Sequence, residues 1–194
     1  NDDPRYMWQT HYSAIAAANQ AIQAIYDLGD PASLAPQKAE ALMCRAYAHF
    51  VLANVFCLPY NPETADKDMG IPYSEKPETQ VIVKYERGTM AELYEKINAD
   101  IEAALPYISD DVYTVPKYHF NKKAAYAFAT RFNLFYVKPD KSNYQKVVEY
   151  ATQVLGSNPD RALRQMTNYI PLGAGDVTNA YVQASENCNL LIIP

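Results

Sequence analysis

The chain has 194 residues, 49% of them hydrophobic and 20% charged, a composition that favours a folded globular protein over a disordered one. Its formal net charge of −5 argues against a nucleic-acid-binding surface and against a polybasic membrane-binding patch. Its three cysteines include no C-x-x-C pair, so they indicate neither a disulfide framework nor a zinc site.

The first two predicted helices follow a short N-terminal stretch without the features of a signal peptide. The first helix begins near Pro4, with Asp2 or Asp3 as its N-cap, and stops at residues 29–31. One face of it carries residues spaced three or four apart, namely Trp8, Tyr12, Ile15, Asn19, Ile22 and Tyr26. The second helix covers about residues 34–57, and its charged residues exclude a membrane span. Its predicted buried stripe comprises Ala39, Leu42, Ala46, Phe50, Ala53 and Cys57.

Residues 59–88 contain four prolines and two glycines, which rule out a long helix. Within them, the stretch 80–85 is compatible with a short strand or with an extended strap. A loop of this length inside a compact domain is usually functional or flexible. We therefore expect an irregular loop insertion at this place.

Three further helices follow the loop, and each begins at a recognisable signal. Thr89 with Glu92, and Ser142 with Gln145, have the capping-box pattern, and Asn121 is the expected N-cap between them. The apolar face of the third helix comprises Met90, Leu93, Tyr94, Ile97, Ile101, Ala104, Leu105 and Ile108. Those of the fourth and fifth helices comprise Ala125, Phe128, Phe132 and Phe135, and Val147, Val148, Ala151, Val154 and Leu155.

This order of helices predicts an all-α fold of stacked antiparallel helical hairpins of the tetratricopeptide-like type. A plain helical bundle explains the same pattern, because the strict repeat period is absent. We expect a helical domain over residues 1–157, with 59–88 as its loop insertion, and an irregular tail over 158–194. The tail ends in the apolar run 190–194, which needs a partner surface and suggests truncation from a longer protein.

Five motifs occur in a fixed order along residues 6–157. They are Trp8-x3-Tyr12-x2-Ile15-x3-Asn19-x2-Ile22, Ala39 to Leu52, Gly70-Ile71-Pro72, Arg87 to Ala104, and Asn121 to Tyr136. Together they resemble the SusD/RagB-type nutrient-binding lipoproteins of Bacteroidetes, in which the second motif reads AEA-x3-RA-x3-F-x-L. The chain departs from the family pattern at residues 57–59, Phe128 and Thr130, which affects details of packing.

The resemblance implies a non-catalytic protein that captures glycans, or in some members peptides, at the cell surface. Such proteins are held at the outer membrane by a lipid anchor, which is not in this chain, and they cover a TonB-dependent transporter of the SusC type. The helical repeats then form the scaffold and the transporter-facing surface, and irregular segments build most of the ligand site. A general helical-repeat scaffold for protein interactions is the alternative.

No catalytic, metal-binding or cofactor-binding motif stands out. The three histidines are isolated, and the sequence has no H-E-x-x-H helix, nucleophile elbow or phosphate-binding loop. Residues 66–70 resemble the start of a calcium loop but lack its downstream glutamate pattern. We therefore expect no enzyme activity, no metal and no cofactor.

Candidate ligand contacts lie in the loop and near the N-terminus, where aromatic rings stand beside polar side chains. Rings match the C–H faces of sugars, whereas carboxylate and amide groups match their hydroxyls. The candidates are Tyr60, Asn61, Asp66, Asp68, Tyr73 and Tyr6.

Three residues have predicted structural roles. Trp8 occupies a motif position on the first helix and is expected in the core. Arg45 and Arg131 each lie in an apolar helix, so both are expected to form buried ion pairs. Their possible acidic partners are Glu40, Asp100 and Glu149.

Overall fold

The computed structural model describes residues 3–80, 83–183, 185–186 and 188–191, and this part of the chain is helical without a β-strand. Its α-helices are α1 (Pro4–Asp27), α2 (Ala35–Phe56), α3 (Met90–Ala104), α4 (Lys122–Phe135), α5 (Asn143–Leu155) and α6 (Ala174–Tyr181). Within these described ranges, no helix is long and apolar enough to cross a bilayer. The predicted all-α fold is confirmed.

The helices pack as consecutive hairpins, as the sequence predicts. α1 packs against α2, α2 packs against α3, and α4 packs against α5. α2 lies at the centre, because it touches α4 as well as α1 and α3. Its buried surface is therefore wider than the single stripe that the sequence predicts. Its buried residues outside the predicted stripe include Ala41, Met43, Ala48 and Leu52.

Aromatic rings fill the space where α2, α3 and α4 meet. The ring centroid of Phe50 lies 5.7 Å from that of Phe128 and 5.8 Å from that of Phe132, both with edge-on geometry. Tyr94 from α3 stacks on Phe132 at 5.5 Å. Each such pair contributes about 0.5–1.5 kcal/mol beyond the burial of its area. The aromatic cluster therefore couples three helices that are distant in sequence.

The helix ends agree with the sequence signals at three of four N-termini. Asp3 accepts a hydrogen bond from the Arg5 N–H at 2.9 Å, and Asn121 accepts one from the Ala124 N–H at 3.0 Å. Thr89 and Glu92 form both bonds of the predicted capping box. The box predicted at Ser142 is wrong, because that side chain makes no capping hydrogen bond.

Four residues predicted on buried helix faces, Tyr26, Phe135, Val148 and Leu155, are instead exposed. Tyr26 is 52% exposed, and its neighbour Ile25 is buried in its place. Phe135 and Val148 are 47% and 68% exposed. The spacing of apolar residues predicts that a helix has a buried face. The width of that face depends on how closely the next helix approaches.

The buried ion pair predicted for Arg131 is wrong. α4 directs Phe128 and Phe132 into the core, and Arg131 lies on the exposed side of the helix. No ion pair joins it to another residue in the described part of the chain. A guanidinium at the surface keeps its hydration and needs no acidic partner.

The tail is more ordered than predicted, because it contains α6 and two short 3-10 helices, Pro159–Ala162 and Met166–Tyr169. The Arg164 guanidinium lies over the Tyr181 ring at 4.1 Å and donates to the Tyr169 hydroxyl at 2.9 Å. These contacts hold α6 against the preceding turns.

Some sequence predictions fall outside the described residues. They concern the alternative N-cap Asp2, residues 81–82 of the possible strand at 80–85, and residues 192–194 of the apolar run. The described residues 83–85 have no regular secondary structure.

Candidate functional site

The loop between α2 and α3 is fastened to the start of α3. Met69 and Thr89 form an isolated antiparallel bridge, and the Gly70 N–H donates to the Gly88 carbonyl at 2.8 Å. Arg87 Nε donates to the Gly70 carbonyl at 2.6 Å. A Cβ atom at Gly70 would lie 3.0 Å from the Thr89 carbonyl oxygen, so a larger residue would push the loop and the start of α3 apart by a few tenths of an ångström. The ends of the loop are therefore fixed.

Four of the predicted ligand residues, Tyr60, Asn61, Asp66 and Asp68, lie in the turn 60–68. Most of them contact other residues of the protein. The Tyr60 ring packs on Tyr94 at 4.8 Å and on Tyr136 at 5.1 Å. Asn61 Oδ1 accepts the Glu63 N–H at 3.0 Å.

The two predicted acidic residues of this turn differ in their surroundings. Asp68 accepts a hydrogen bond from the Thr64 hydroxyl at 2.5 Å, and Asp66 is exposed. Among the described residues, no group of three or more His, Cys, Asp or Glu side chains could hold a metal ion.

Residues 71–76, here called the clasp, lie across α1, α2 and α3 and are bound to them by a buried polar network. At its centre, Arg45 donates from Nε and Nη2 to the two carboxylate oxygens of Asp100, both at 2.7 Å. Arg45 Nη1 donates to Asn19 Oδ1 at 2.9 Å and to the Glu75 carbonyl at 3.1 Å. Asp100 is thus the one of the three suggested partners that pairs with Arg45.

Tyr73 of the clasp belongs to this network, although it was predicted as a ligand contact. Its hydroxyl donates to Asp100, and its ring stacks on His49 with 3.9 Å between centroids. Burial, followed by the charge of Asp100, raises the pKa of Tyr73 well above its ordinary value. One face of the Tyr73 ring and its hydroxyl therefore contact the core.

His49 joins α2 to the clasp as a neutral ring. Its Nδ1 bonds the Arg45 carbonyl at 2.8 Å, and its Nε2 accepts the Ser74 N–H at 3.2 Å. The Ser74 donor requires a bare Nε2, so the proton must be on Nδ1. Burial lowers the pKa of His49 to about 3, and the charges of Arg45 and Lys96 also favour the neutral form.

The N-terminal part of α1 adds a further anchor. The Tyr12 hydroxyl donates to the Pro72 carbonyl at 2.8 Å, and Asn19 Nδ2 donates to the Ser74 carbonyl at 3.1 Å. Trp8 packs against Tyr12 and against Phe56, with 4.9 and 5.1 Å between ring centroids. Tyr6, on the first turn of α1, is 54% exposed and is the predicted ligand candidate with the most accessible ring.

A polar cleft of about 360 Å³ lies on the outer side of the clasp, lined by residues 73–80, 83 and 85. Tyr85 is 42% exposed, and its hydroxyl donates to Glu78. Glu75 lies at the rim, where it pairs with Lys96 at 2.8 Å. The cleft thus presents an aromatic ring next to carboxylates. The sequence prediction missed Glu75 and Glu78; their signal is the run of polar residues that surrounds Pro77.

About two thirds of the chain match a known protein family. The SusD-like model described as "Starch-binding associating with outer membrane" matches residues 1–134. Comparison with curated protein sequences finds no match.

Three solved structures share the fold. A SusD superfamily protein from Bacteroides thetaiotaomicron VPI-5482 is 28% identical with a TM-score of 0.68, over 85% of this chain and 35% of that one. A putative sugar binding protein from Bacteroides vulgatus ATCC 8482 is 21% identical with a TM-score of 0.72, over 97% and 40%. A laminarin binding SusD-like protein is 22% identical with a TM-score of 0.57, over 79% and 30%. The chain therefore spans 30–40% of the length of these three proteins.

Proposed function

Because this chain belongs to the SusD-like family, we propose that it is the helical part of a cell-surface protein that captures glycans for import. In this proposal, residues 1–157 form the helical domain, 59–88 its loop insertion, and 158–194 a tail from a longer protein. The protein binds the glycan without cleaving it. It transfers the glycan to a TonB-dependent transporter of the SusC type, and a lipid anchor holds it at the outer membrane.

The observation that carries the proposal is the cleft on the clasp. A glycan-binding site needs an accessible aromatic face with hydrogen-bonding groups beside it. Tyr85 supplies the face, and Glu75 and Glu78 supply acceptors for hydroxyl groups. The network around Arg45 and Asp100 holds the base of the cleft, so little conformational entropy is lost when a ligand binds.

The predicted ligand residues take two different roles in this proposal. Tyr60, Asn61, Asp68 and Tyr73 support the loop through their own contacts. Asp66 and Tyr6 are exposed and remain candidates for direct contact with the glycan. A starch-like or β-glucan ligand is supported by the starch-binding description of the family and by the relative that binds laminarin.

A binding screen of the full-length protein tests the proposal. Laminarin, starch, xyloglucan and a peptide mixture are offered in turn, and binding is measured by titration calorimetry together with a search for released reducing ends. We expect saturable binding of one glycan class without release of products. The Tyr85→Ala variant should weaken that binding by about tenfold, the loss typical of an aromatic contact worth ~1.4 kcal/mol.

The matched control is Tyr118→Ala, which removes a ring that is 52% exposed but lies in the turn Pro116–Tyr118, outside the clasp cleft. It should leave the affinity unchanged. An equal loss in both variants would contradict the assigned cleft. Binding of peptides alone would favour a peptide-capturing member of the family, and binding of a helical protein partner alone would favour a scaffold.

A further inference from the structure

A cavity of about 750 Å³, here called the tail cavity, lies beside the start of α4 and the end of α5. The 3-10 helix Pro159–Ala162 and residues 188–190 of the tail complete its walls. It shares no lining residue with the clasp cleft, so the proposed glycan site does not account for it. Its volume falls within the range of about 300–1,000 Å³ that small-molecule sites occupy.

Positive charges from separate elements line the tail cavity. Lys123 lies on the first turn of α4 and Arg161 on the 3-10 helix, and neither forms an ion pair with another residue in the described ranges. A third cation, Lys117, also lines the cavity and donates to a tail carbonyl at 2.9 Å. The one carboxylate among the described lining residues, Asp110, accepts a backbone N–H at the start of α4 at 2.6 Å. The cavity is therefore rich in positive charge within a chain whose net charge is −5.

Beside these charges, the tail cavity offers an amide group and apolar walls. Asn158 and Arg161 lie on one turn, which the bond from the Arg161 N–H to the Asn158 carbonyl closes at 3.3 Å. Val154, Leu155 and Leu190 supply apolar surface on the other walls. An amide matches the hydroxyls of a sugar, and apolar side chains match its C–H faces. Together with the cations, these groups suit a sugar that carries a negative charge.

We infer that the tail cavity is a second binding site, separate from the clasp cleft, for a saccharide that bears carboxylate or sulfate groups. A guanidinium offers paired N–H donors that fit a carboxylate or a similar oxyanion, and an ammonium adds a compact charge. In this site Arg161 and Lys123 bind the anionic group, and Asn158 binds a ring hydroxyl. The inference rests on the proposed function for its choice of a sugar, but its residues and its charge are different.

The two sites would select different ligands. The clasp cleft presents the ring of Tyr85 next to the carboxylates of Glu75 and Glu78, which suits a neutral sugar. The tail cavity has no aromatic ring among its described lining residues. A sugar without a stacking partner depends more on charge, so its affinity for the tail cavity should fall as salt screens the cations.

Titration calorimetry of the full-length protein tests the inference with two probes, tetragalacturonate and a sulfated chondroitin tetrasaccharide. We expect saturable binding of at least one of them. Arg161→Gln or Lys123→Gln should weaken that binding about tenfold, since each removes a charge-assisted contact. Maltotetraose, a neutral sugar of the same length, should not be affected by either substitution. The probe that binds distinguishes a carboxylate from a sulfate as the anionic group.

Lys141→Gln is the matched control, because it removes the same charge from an exposed residue before the opposite end of α5, about 20 Å along the helix. It should leave the affinity unchanged. An equal loss in Lys141→Gln and Arg161→Gln would overturn the inference, because the probe would then respond to net charge alone. Binding of neither probe would also overturn it, and citrate bound as tightly as the probes would exclude a site for saccharides.

Cys188 lines the tail cavity and gives a second readout without any substitution. The bound probe should slow the labelling of Cys188 by a maleimide, whereas Cys57, at the end of α2, should react at an unchanged rate. Peptide mass spectrometry measures both rates in one sample. An unchanged rate at Cys188 would contradict the tail cavity and leave the proposed function standing. Protection of Cys188, with no neutral glycan bound in the clasp cleft, would support the tail cavity and contradict the proposed function.

Discussion

Arg45 and Asp100 face each other across the α2–α3 interface as a two-pronged ion pair, with both N–O distances at 2.7 Å. Their side chains are only 8% and 10% exposed. Planar, bidentate geometry is the strongest arrangement that an arginine and a carboxylate can adopt. The same guanidinium also holds the Glu75 carbonyl of the clasp, so this one pair joins the helical core to the candidate ligand loop.

Removal of one partner of this pair should be strongly destabilising. Arg45→Met leaves the Asp100 carboxylate buried without its countercharge, and we expect a loss of about 3–5 kcal/mol in the free energy of unfolding. Arg45→Met with Asp100→Leu should lose less than the sum of the two single variants, because no charge stays buried. Urea denaturation measures all three.

The control for this prediction is the exposed pair of Lys38 with Asp30, at 2.6 Å. Lys38→Met should cost less than about 1 kcal/mol, because water screens that pair. A similar loss in Lys38→Met and Arg45→Met would show that burial does not set the strength of these ion pairs.

Tyr73, which lines the clasp cleft, should also matter for the order of the clasp. Tyr73→Phe keeps the ring on His49 but loses the hydrogen bond to Asp100. A bond to a charged acceptor is worth about 1.5–3 kcal/mol, so we expect a loss of that size and faster amide exchange at residues 71–76.

The comparison variant is Tyr85→Phe, which loses a hydrogen bond at the surface. It should change the free energy of unfolding by no more than about 0.5 kcal/mol. Hydrogen-exchange mass spectrometry distinguishes the two, and unchanged exchange of the clasp in Tyr73→Phe would refute its role as an anchor.

Thr89 with Glu92 and Ser142 with Gln145 share the capping-box pattern, but only the first pair forms a capping box in the structure. Thr89→Ala removes a capping bond to the Glu92 N–H at 3.2 Å and should cost about 1 kcal/mol. Ser142→Ala removes no capping bond and should change stability by less than about 0.5 kcal/mol. Thermal denaturation compares them, and an equal loss would mean that Ser142 does cap α5.

The difference between these two caps shows what a local pattern can and cannot predict. The chain before α5 takes a left-handed conformation at Lys141, with φ of 57°, and the Ser142 N–H donates to Asp140 instead. The capping-box pattern in the sequence does not specify that backbone conformation. By contrast, the apolar face of α3 was predicted correctly, because a helix buried on one side imposes a period that the sequence shows directly.

The candidate site was harder to predict because its contacts join residues far apart in the chain. Arg45 was expected to have an acidic partner, but three were available, and only the stacking of α3 on α2 selects Asp100, 55 positions away. The sequence predicts Tyr73 as a ligand contact, but a loop without a period gives no sign that this ring also packs on the core. Its stacking on His49 follows from tertiary structure alone.

His49 should make the stability of the protein depend on pH in a defined direction. Its pKa is lowered from about 6.5 to about 3 by burial, so between these values the unfolded chain binds a proton that the folded chain does not. Stability therefore rises with pH where the unfolded state holds more protons. The contribution of His49 is complete above pH 6.5 and is lost as the pH falls toward 3.

This dependence can be isolated by subtraction, since carboxylates titrate in the same range. His49→Gln has no proton to gain, so the unfolding free energy of the natural protein should fall more steeply with acid than that of the variant. The difference in slope should approach 1.4 kcal/mol per pH unit near pH 5, the value for about one proton. Urea denaturation at a series of pH values from 7 to 4 measures it. Parallel curves would show that the His49 ring gains its proton in the folded protein, and the assigned bond from the Ser74 N–H to Nε2 would then be wrong, because a protonated ring cannot accept it.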